Sequence, residues 1–266
     1  MKQLIKPLAI DVLAIGNAFP TPMTDKNKLQ SLIQSLSAMT TGKELIRLGP
    51  KGDGGYLVPN DLEGIEACFS PGVCEVSDFE KDCADLGMKV FMADRSVDKP
   101  AGTHELFHFI KKYVGVTTND DFMTVDNWVS ESLPNSQSDL LLQIDIEGYE
   151  YETFLAMSDS LMSRYRIIVA EFHDLDQLWN RSFFQLASRA FEKILQTHTC
   201  VHIHPNNICT PLNKGGLSIP PTMEFTFIRK DRIKSKKPAV IFPHPLDADN
   251  SEKAHYALPE CWYTKG

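Results

Sequence analysis

The stretch Asp139 to Glu152, DLLLQIDIEGYEYE, stops an apolar run on two acids separated by one residue, Asp145 and Glu147. In an extended chain such residues project to the same side, where paired carboxylates can move a proton or hold a cation. The bland alternative is that they cap the helix that follows. A second run, Arg166 to Glu171 (RIIVAE), also stops on polar residues, Glu171, His173 and Asp174. In open α/β sheets ligands bind beyond the carboxyl ends of the strands, so acids at those ends are better candidates for chemistry than acids elsewhere.

The elements around these residues must place them. Leu140, Leu141, Leu142, Ile144 and Ile146 form the nearly unbroken apolar pattern of a strand buried on both faces. Gly148 then turns the chain into a helix expected over Tyr149 to Tyr165. Upstream, Glu66 to Ser96 reads as a strand ending at Ser70, a Pro-Gly break, a helix capped by Ser77 or Asp78 and running to Gly87, and a strand from Lys89 to Ala93 ending in Asp94. That order holds a nucleoside: glycine admits the backbone, and the acid after the second strand accepts hydrogen bonds from ribose. Only Gly72 remains of a glycine-rich turn, which argues against a pyrophosphate cradle. A cofactor with ribose and no phosphates, S-adenosylmethionine, fits better.

Further strands are expected at Tyr113 to Thr117, Cys200 to His204 and Met223 to Ile228, with helices over Thr124 to Leu133 and Leu175 to His198. Glu80 lies on the first helix, facing either the site or solvent. Arg47 to Val58 (RLGPKGDGGYLV) crowds glycines around Asp53, suited to a loop close to a ligand or to a hairpin turn. Asp25 to Met39 sets Leu29, Leu32, Ile33 and Leu36 in one apolar stripe that packs on the main domain or on a second subunit. The organisation expected is an N-terminal helical extension (1–45), a main domain (46–230) and a C-terminal tail packed on the core (231–266).

Of the 266 residues 42% are apolar, and the formal charge is −8. That balance excludes a surface that tracks nucleic-acid phosphates. No stretch has the ~20 apolar residues of a membrane span. The six cysteines lack metal-finger spacing and read as free thiols of a cytoplasmic protein. The apolar N-terminus is interrupted by Asp11 and carries no convincing cleavage site, so export is not expected.

Asp53 to Tyr56 (DGGY), Asp94, Thr124 to Trp128, Ile144 to Glu150 (IDIEGYE) and Val169 to His173 (VAEFH) together resemble the FkbM-type methyltransferases. The chain departs from that family in its first loop, SPGVCEVSDFE. The resemblance implies an α/β, Rossmann-like class I methyltransferase fold: a mostly parallel seven-stranded sheet, order 3-2-1-4-5-7-6, with helices on both faces and the seventh strand antiparallel. On that topology Asp145, Glu147, Glu171, His173, His204, Asn206, Asn207 and Glu224 converge on one rim.

Methyl transfer to an alcohol needs the acceptor positioned and its proton removed. His173 is the first candidate base, because neutral imidazole is available near pH 7; Asp145 is second, and Glu171 completes the catalytic set. Asp53, Tyr56, Ser70, Gly72, Asp94 and Asp145 are the residues expected around S-adenosylmethionine. A second account has the crowded acids share a divalent metal, with Asp145, His173, His204 and Glu224 as ligands. The activity expected is O-methylation of a small molecule, sugar or glycoconjugate by a chain that binds neither nucleic acid nor membrane, with a homodimer compatible with the N-terminal stripe. The alternative is a metal-dependent hydrolase or lyase on a Rossmann-like sheet with the same acidic and histidine rim.

Overall fold

The computed structural model describes residues 21–73 and 76–263. The apolar N-terminal stretch and Cys74 lie outside the described residues. Helix α1, Lys26–Ser35, opens the described chain; the Asp25 carboxylate caps it by accepting from the N–H groups of Asn27 and Lys28. Its stripe of Leu29, Leu32, Ile33 and Leu36 joins the chain's own main core. Strands β1 (Leu45–Leu48) and β2 (Tyr56–Pro59) then pair as an antiparallel hairpin.

The central layers follow in chain order. Strand β3 (Ala67–Pro71) leads to helix α2 (Asp78–Asp85), strand β4 (Lys89–Ala93) and strand β5 (Phe107–Ile110). Helix α3 (Val125–Ser132), capped by Thr124, precedes β6 (Leu140–Ile144), helix α4 (Glu150–Ala156) and β7 (Tyr165–Phe172). Helix α5 (Arg181–Thr197), β8 (His198–Pro205) and β9 (Met223–Arg229) complete them.

The seven-stranded sheet runs β5-β4-β3-β6-β7-β9-β8. Pairs from β5 to β7 are parallel, and β9 is antiparallel to both neighbours. In chain order this is 3-2-1-4-5-7-6, the Rossmann-like arrangement that the resemblance implies. Alternation along β6 shows why its sequence is apolar apart from Gln143. Leu140, Leu142 and Ile144 enter one core with α1, α3, α4 and α5, while Leu141 enters the other with α2 and the β1–β2 hairpin. Among the described residues, helix α2 and the β1–β2 hairpin pack on this second face.

Three local expectations change. The third strand is Phe107–Ile110, not Tyr113 to Thr117; Tyr113–Val114 forms a separate two-residue ladder with Phe122–Met123. As an edge strand it is only half-buried, and the interrupting His108 stacks on Phe91, so no continuous apolar run marks it. The helix expected over Tyr149 to Tyr165 breaks at Met157, which is extended, and Ser158 caps a new turn at Asp159–Met162. The segment Leu175 to His198 divides at Asn180, whose side chain caps α5 after a 3₁₀ turn at Leu175–Trp179. In both cases a local side chain satisfies the exposed N–H groups of a new helix start.

The C-terminal segment lies over the core. Trp262 is fully buried and its indole N–H donates to the Ser218 carbonyl. Among the described residues no helix is long and apolar enough to cross a membrane.

His198, the first residue of β8, is fully buried between two partners. Its Nε2 meets the Tyr165 carbonyl at 2.7 Å and its Nδ1 the Thr197 hydroxyl at 2.8 Å, which makes Nε2 the donor and Nδ1 the acceptor. Burial lowers its pKa to about 4, because the charged ring loses hydration. A folded pKa below the ordinary value of about 6.5 means that this contribution is intact above pH 6.5 and is lost as pH falls toward 4, by roughly 3 kcal/mol. Urea denaturation of wild type and His198→Gln at pH 7.5 and pH 4.5 is expected to show the smaller acid-induced loss in the variant. Equal losses would refute the assignment.

Candidate functional site

Strand ends β6 and β7 lie side by side, with Ala170 registered opposite Ile144. The chain leaves β6 through a bend in which Glu147 and Gly148 both take positive φ, 56° and 100°. Asp145 and Glu147 therefore do not share a side as members of an extended strand. They meet because the bend folds Glu147 back toward the next strand end. His173 Nε2 lies 3.8 Å from Asp145 Oδ1, 3.5 Å from Glu147 Oε2 and 3.6 Å from Glu171 Oε1.

The other ring nitrogen is tied by a residue whose role is not legible in the motif. Glu150, the first residue of α4 and fully buried, approaches His173 Nδ1 at 3.2 Å with Oε1. The same oxygen accepts from the backbone N–H groups of Ile146 and Gly148 at 3.0 and 3.1 Å. Glu150 thus secures the bend and orients the imidazole; neither Asp145 nor Glu147 caps the helix. Its only sequence signal is an acid in the first helical turn, where the helix dipole favours negative charge. From the opposite side, the Tyr151 hydroxyl donates to the His173 carbonyl at 2.5 Å.

The second polar group comes from β8 and β9. Glu224 stands opposite Glu171 on one neighbour and His204 on the other. Asn206 Nδ2 donates to Glu171 Oε1 at 3.2 Å, and Asn207 binds the backbone of Ser251 and Lys253. The C-terminal segment adds two residues that sequence reasoning missed. Asn250 Nδ2 donates to Glu224 Oε1 at 2.7 Å and reaches Asp53 Oδ1 at 3.3 Å, while Asp247 lies 2.9 Å from His202 Nε2 and 3.6 Å from His204 Nδ1.

The metal set expected from the sequence is therefore divided. Asp145 and His173 sit with Glu171, whereas His204 faces Asp247 and Glu224 is held by Asn250. The antiparallel β9 brings all of them to one rim, but side-chain partners separate them into two clusters.

Charge at the rim is strongly perturbed. Burial pushes the Asp145 carboxyl up to about 7, opposed by His173 and reinforced by Glu150, Glu147 and Asp53. Glu171 is raised well above the ordinary carboxylate range by burial and by Asp145, Glu224 and Asp53, and Glu224 is also raised by burial. Burial opposes protonation of His173, but its bond to Glu150 and the surrounding acids outweigh this and raise its pKa. Together these groups form a site able to take up a proton or a cation.

The residues expected around the cofactor take different places. Asp94 ends β4 half-buried, with Oδ1 accepting from the N–H and hydroxyl of Ser96 at 2.6 Å each. Asp53 is exposed and linked to the rim through Asn250. Tyr56 lies beneath the rim, buried edge-on against Phe79, with its hydroxyl 3.4 Å from Gln143 Nε2. Ser70 is turned inward, a correction to its expected contact: its hydroxyl is 2.5 Å from Glu80 and 2.7 Å from Gln143, all three buried. Glu80 is accordingly neither solvated nor on the rim. Gly72, at φ +90°, is pressed so closely on the bend that an added Cβ would fall 1.5 Å from the Asp145 carbonyl oxygen. Its lack of a side chain lets two strand ends touch.

Residues 71–198, just under half of the chain, match the family model described as Methyltransferase FkbM domain. No curated protein matches the chain at a significant level. Among solved structures it is similar to one from Anabaena variabilis ATCC 29413, described as "Putative methyltransferase from antibiotic biosynthesis pathway", at 11% identity and a TM-score of 0.28 over 56% of this chain and 61% of that one. The matched segment contains Asp94, Asp145, Glu150, Glu171 and His173, so the family match falls on most of the motifs by which the chain resembles the FkbM-type methyltransferases.

Proposed function

We propose that the protein is an S-adenosylmethionine-dependent methyltransferase that methylates a hydroxyl group of a small molecule, sugar or glycoconjugate. The observation that supports this most is His173, held by Glu150 and set among Asp145, Glu147 and Glu171 at the carboxyl ends of β6 and β7, where α/β sheets place their ligands. The donor set suits the cofactor. Asp94 offers a carboxylate to ribose hydroxyls, and Asp53 and Asp145 supply negative charge to a sulfonium and an amino group. Bound there, S-adenosylmethionine supplies an electrophilic methyl group.

The chain's own task is to hold the acceptor oxygen and take its proton. Asp145, with a pKa of about 7, and His173 are matched to proton transfer at neutral pH. The acids Asp53, Asp145, Glu147, Glu171 and Glu224 favour a neutral polyol or a cation as acceptor and disfavour a phosphorylated one. The cytoplasmic setting and the homodimer expected from the sequence belong to the same proposal.

Calorimetric titration with S-adenosylhomocysteine tests the cofactor. Micromolar binding is expected for wild type, weakened at least about tenfold in Asp94→Asn, since a buried or half-buried hydrogen bond to a charged group contributes ~1.5–3 kcal/mol. Failure of the wild-type protein to bind would overturn the reading.

A further inference from the structure

The ligating atoms of Asp145, Glu171 and His173 all lie within 4.8 Å of one another. Their spacings are wrong for hydrogen bonds. His173 Nε2 stands 3.8 Å from Asp145 and 3.6 Å from Glu171, beyond the ~2.7–3.2 Å of an N–H···O bond. Two donors each about 2.1 Å from one ion at a tetrahedral angle sit roughly 3.4 Å apart, close to what is found. The Nδ1 side provides the contrast, because its 3.2 Å approach to Glu150 is a hydrogen bond. That bond places the hydrogen on Nδ1 and leaves the Nε2 lone pair facing the acids, the arrangement by which a carboxylate orients a metal-bound histidine.

A second observation is independent of these distances. Asp145 Oδ1 and Glu171 Oε2 are buried with no hydrogen-bond partner, and Glu171 as a whole is only 5% exposed. Buried acceptors left unpaired are costly, and a lone pair directed at carboxylates is repulsive unless a cation lies between them.

We propose that Asp145, Glu171 and His173 bind one divalent first-row transition-metal ion, of the Mn²⁺ or Zn²⁺ class. The imidazole donor distinguishes this set from the all-oxygen sites of Ca²⁺ and Mg²⁺, and the two carboxylates balance the ion's charge. Glu147, 3.5 Å from Nε2 with a side chain 86% exposed, supplies a further oxygen from the solvent side. Glu150 acts as the positioning residue. The existence of this site does not depend on the methyl-transfer reading, but its use does: the ion would hold acceptor oxygens and make the hydroxyl acidic, a task otherwise left to His173 as base.

The test uses the full chain, stripped with chelator and titrated with MnCl₂ by calorimetry and electron paramagnetic resonance. One equivalent is expected to bind, with ¹⁴N coupling from a directly ligated imidazole. His173→Gln should abolish the coupling, and His173→Gln and Glu171→Gln should each weaken binding at least about tenfold while melting cooperatively. No uptake of Mn²⁺ or Zn²⁺, uptake without ¹⁴N coupling, or wild-type affinity in either variant would overturn the site and leave a protonated His173 among the acids. S-adenosylhomocysteine titrated into the same stripped and loaded samples separates the two proposals. Mn²⁺ uptake without cofactor binding keeps the metal site and sinks the methyltransferase reading; cofactor binding without metal uptake does the reverse.

Discussion

Gly72→Ala is expected to lose about 4 kcal/mol or more of stability, or to yield no soluble folded protein. The added methyl carbon would lie 1.5 Å from the Asp145 carbonyl oxygen and 2.6 Å from its carbonyl carbon. Those are backbone atoms and cannot rotate away. The two segments are also tied together, Asp145 N–H donating to Pro71 O at 3.4 Å, while on the other side Gly72 N–H donates to Ala93 O of β4 at 3.0 Å. Relief would require β3 and β6 to separate at the end where the site is built. Gly87→Ala is the matched control, since Gly87 has nearly the same φ, +89°, with nothing within 4 Å of its would-be Cβ. It should cost only the strain of a left-handed alanine, roughly 1–2 kcal/mol. Urea denaturation of both variants checks this. Equal losses would mean that the strand ends do not cross as described, and the placement of Asp145 would fall with them.

The second large effect concerns activity. With labelled S-adenosylmethionine and an accepted substrate, His173→Ala should lower kcat by about 10²–10⁴, with little change in S-adenosylhomocysteine affinity, because Asp94, the acid proposed to hold the ribose, lies apart at the end of β4. The loss is expected whether the ring takes the proton or ligates an ion, since Nε2 faces Asp145, Glu147 and Glu171 together. Glu150→Gln should reduce kcat by about 10–100-fold and leave KM largely unchanged, as an orienting residue does. Its amide can still accept from Ile146 and Gly148, which keeps the bend, but it no longer offers a charge to Nδ1. Activity of His173→Ala within threefold of wild type would remove His173 from the chemistry.

The sequence by itself determined the strands buried on both faces. Both β6 and β7 are buried along their whole length, and the change to Asp145 and Glu171 marks the strand ends where the polar side chains of the site gather. The caps Thr124, Ser158 and Asn180 are also local, acting within three residues of themselves, although the apolar periodicity runs straight through the last two. The strand order came through motifs at the ends of those strands rather than from any periodicity.

Tertiary structure decided what those ends do. Whether Glu147 meets His173 depends on two consecutive residues at positive φ, and Glu150 becomes a partner of His173 only because β7 ends beside that bend. Ser70 and Glu80 seemed free to face a ligand, yet alternation across β3 and β6 turns Ser70 toward α2 and Gln143. Asn250 and Asp247 belong to the rim through contacts that span 26 residues or more along the chain, to Glu224 for the first and to His202 and His204 for the second. Local residue types encode which segments are buried and where they stop; which polar side chains share a partner is settled by packing between segments distant in the chain, because only there do burial and charge act on them together.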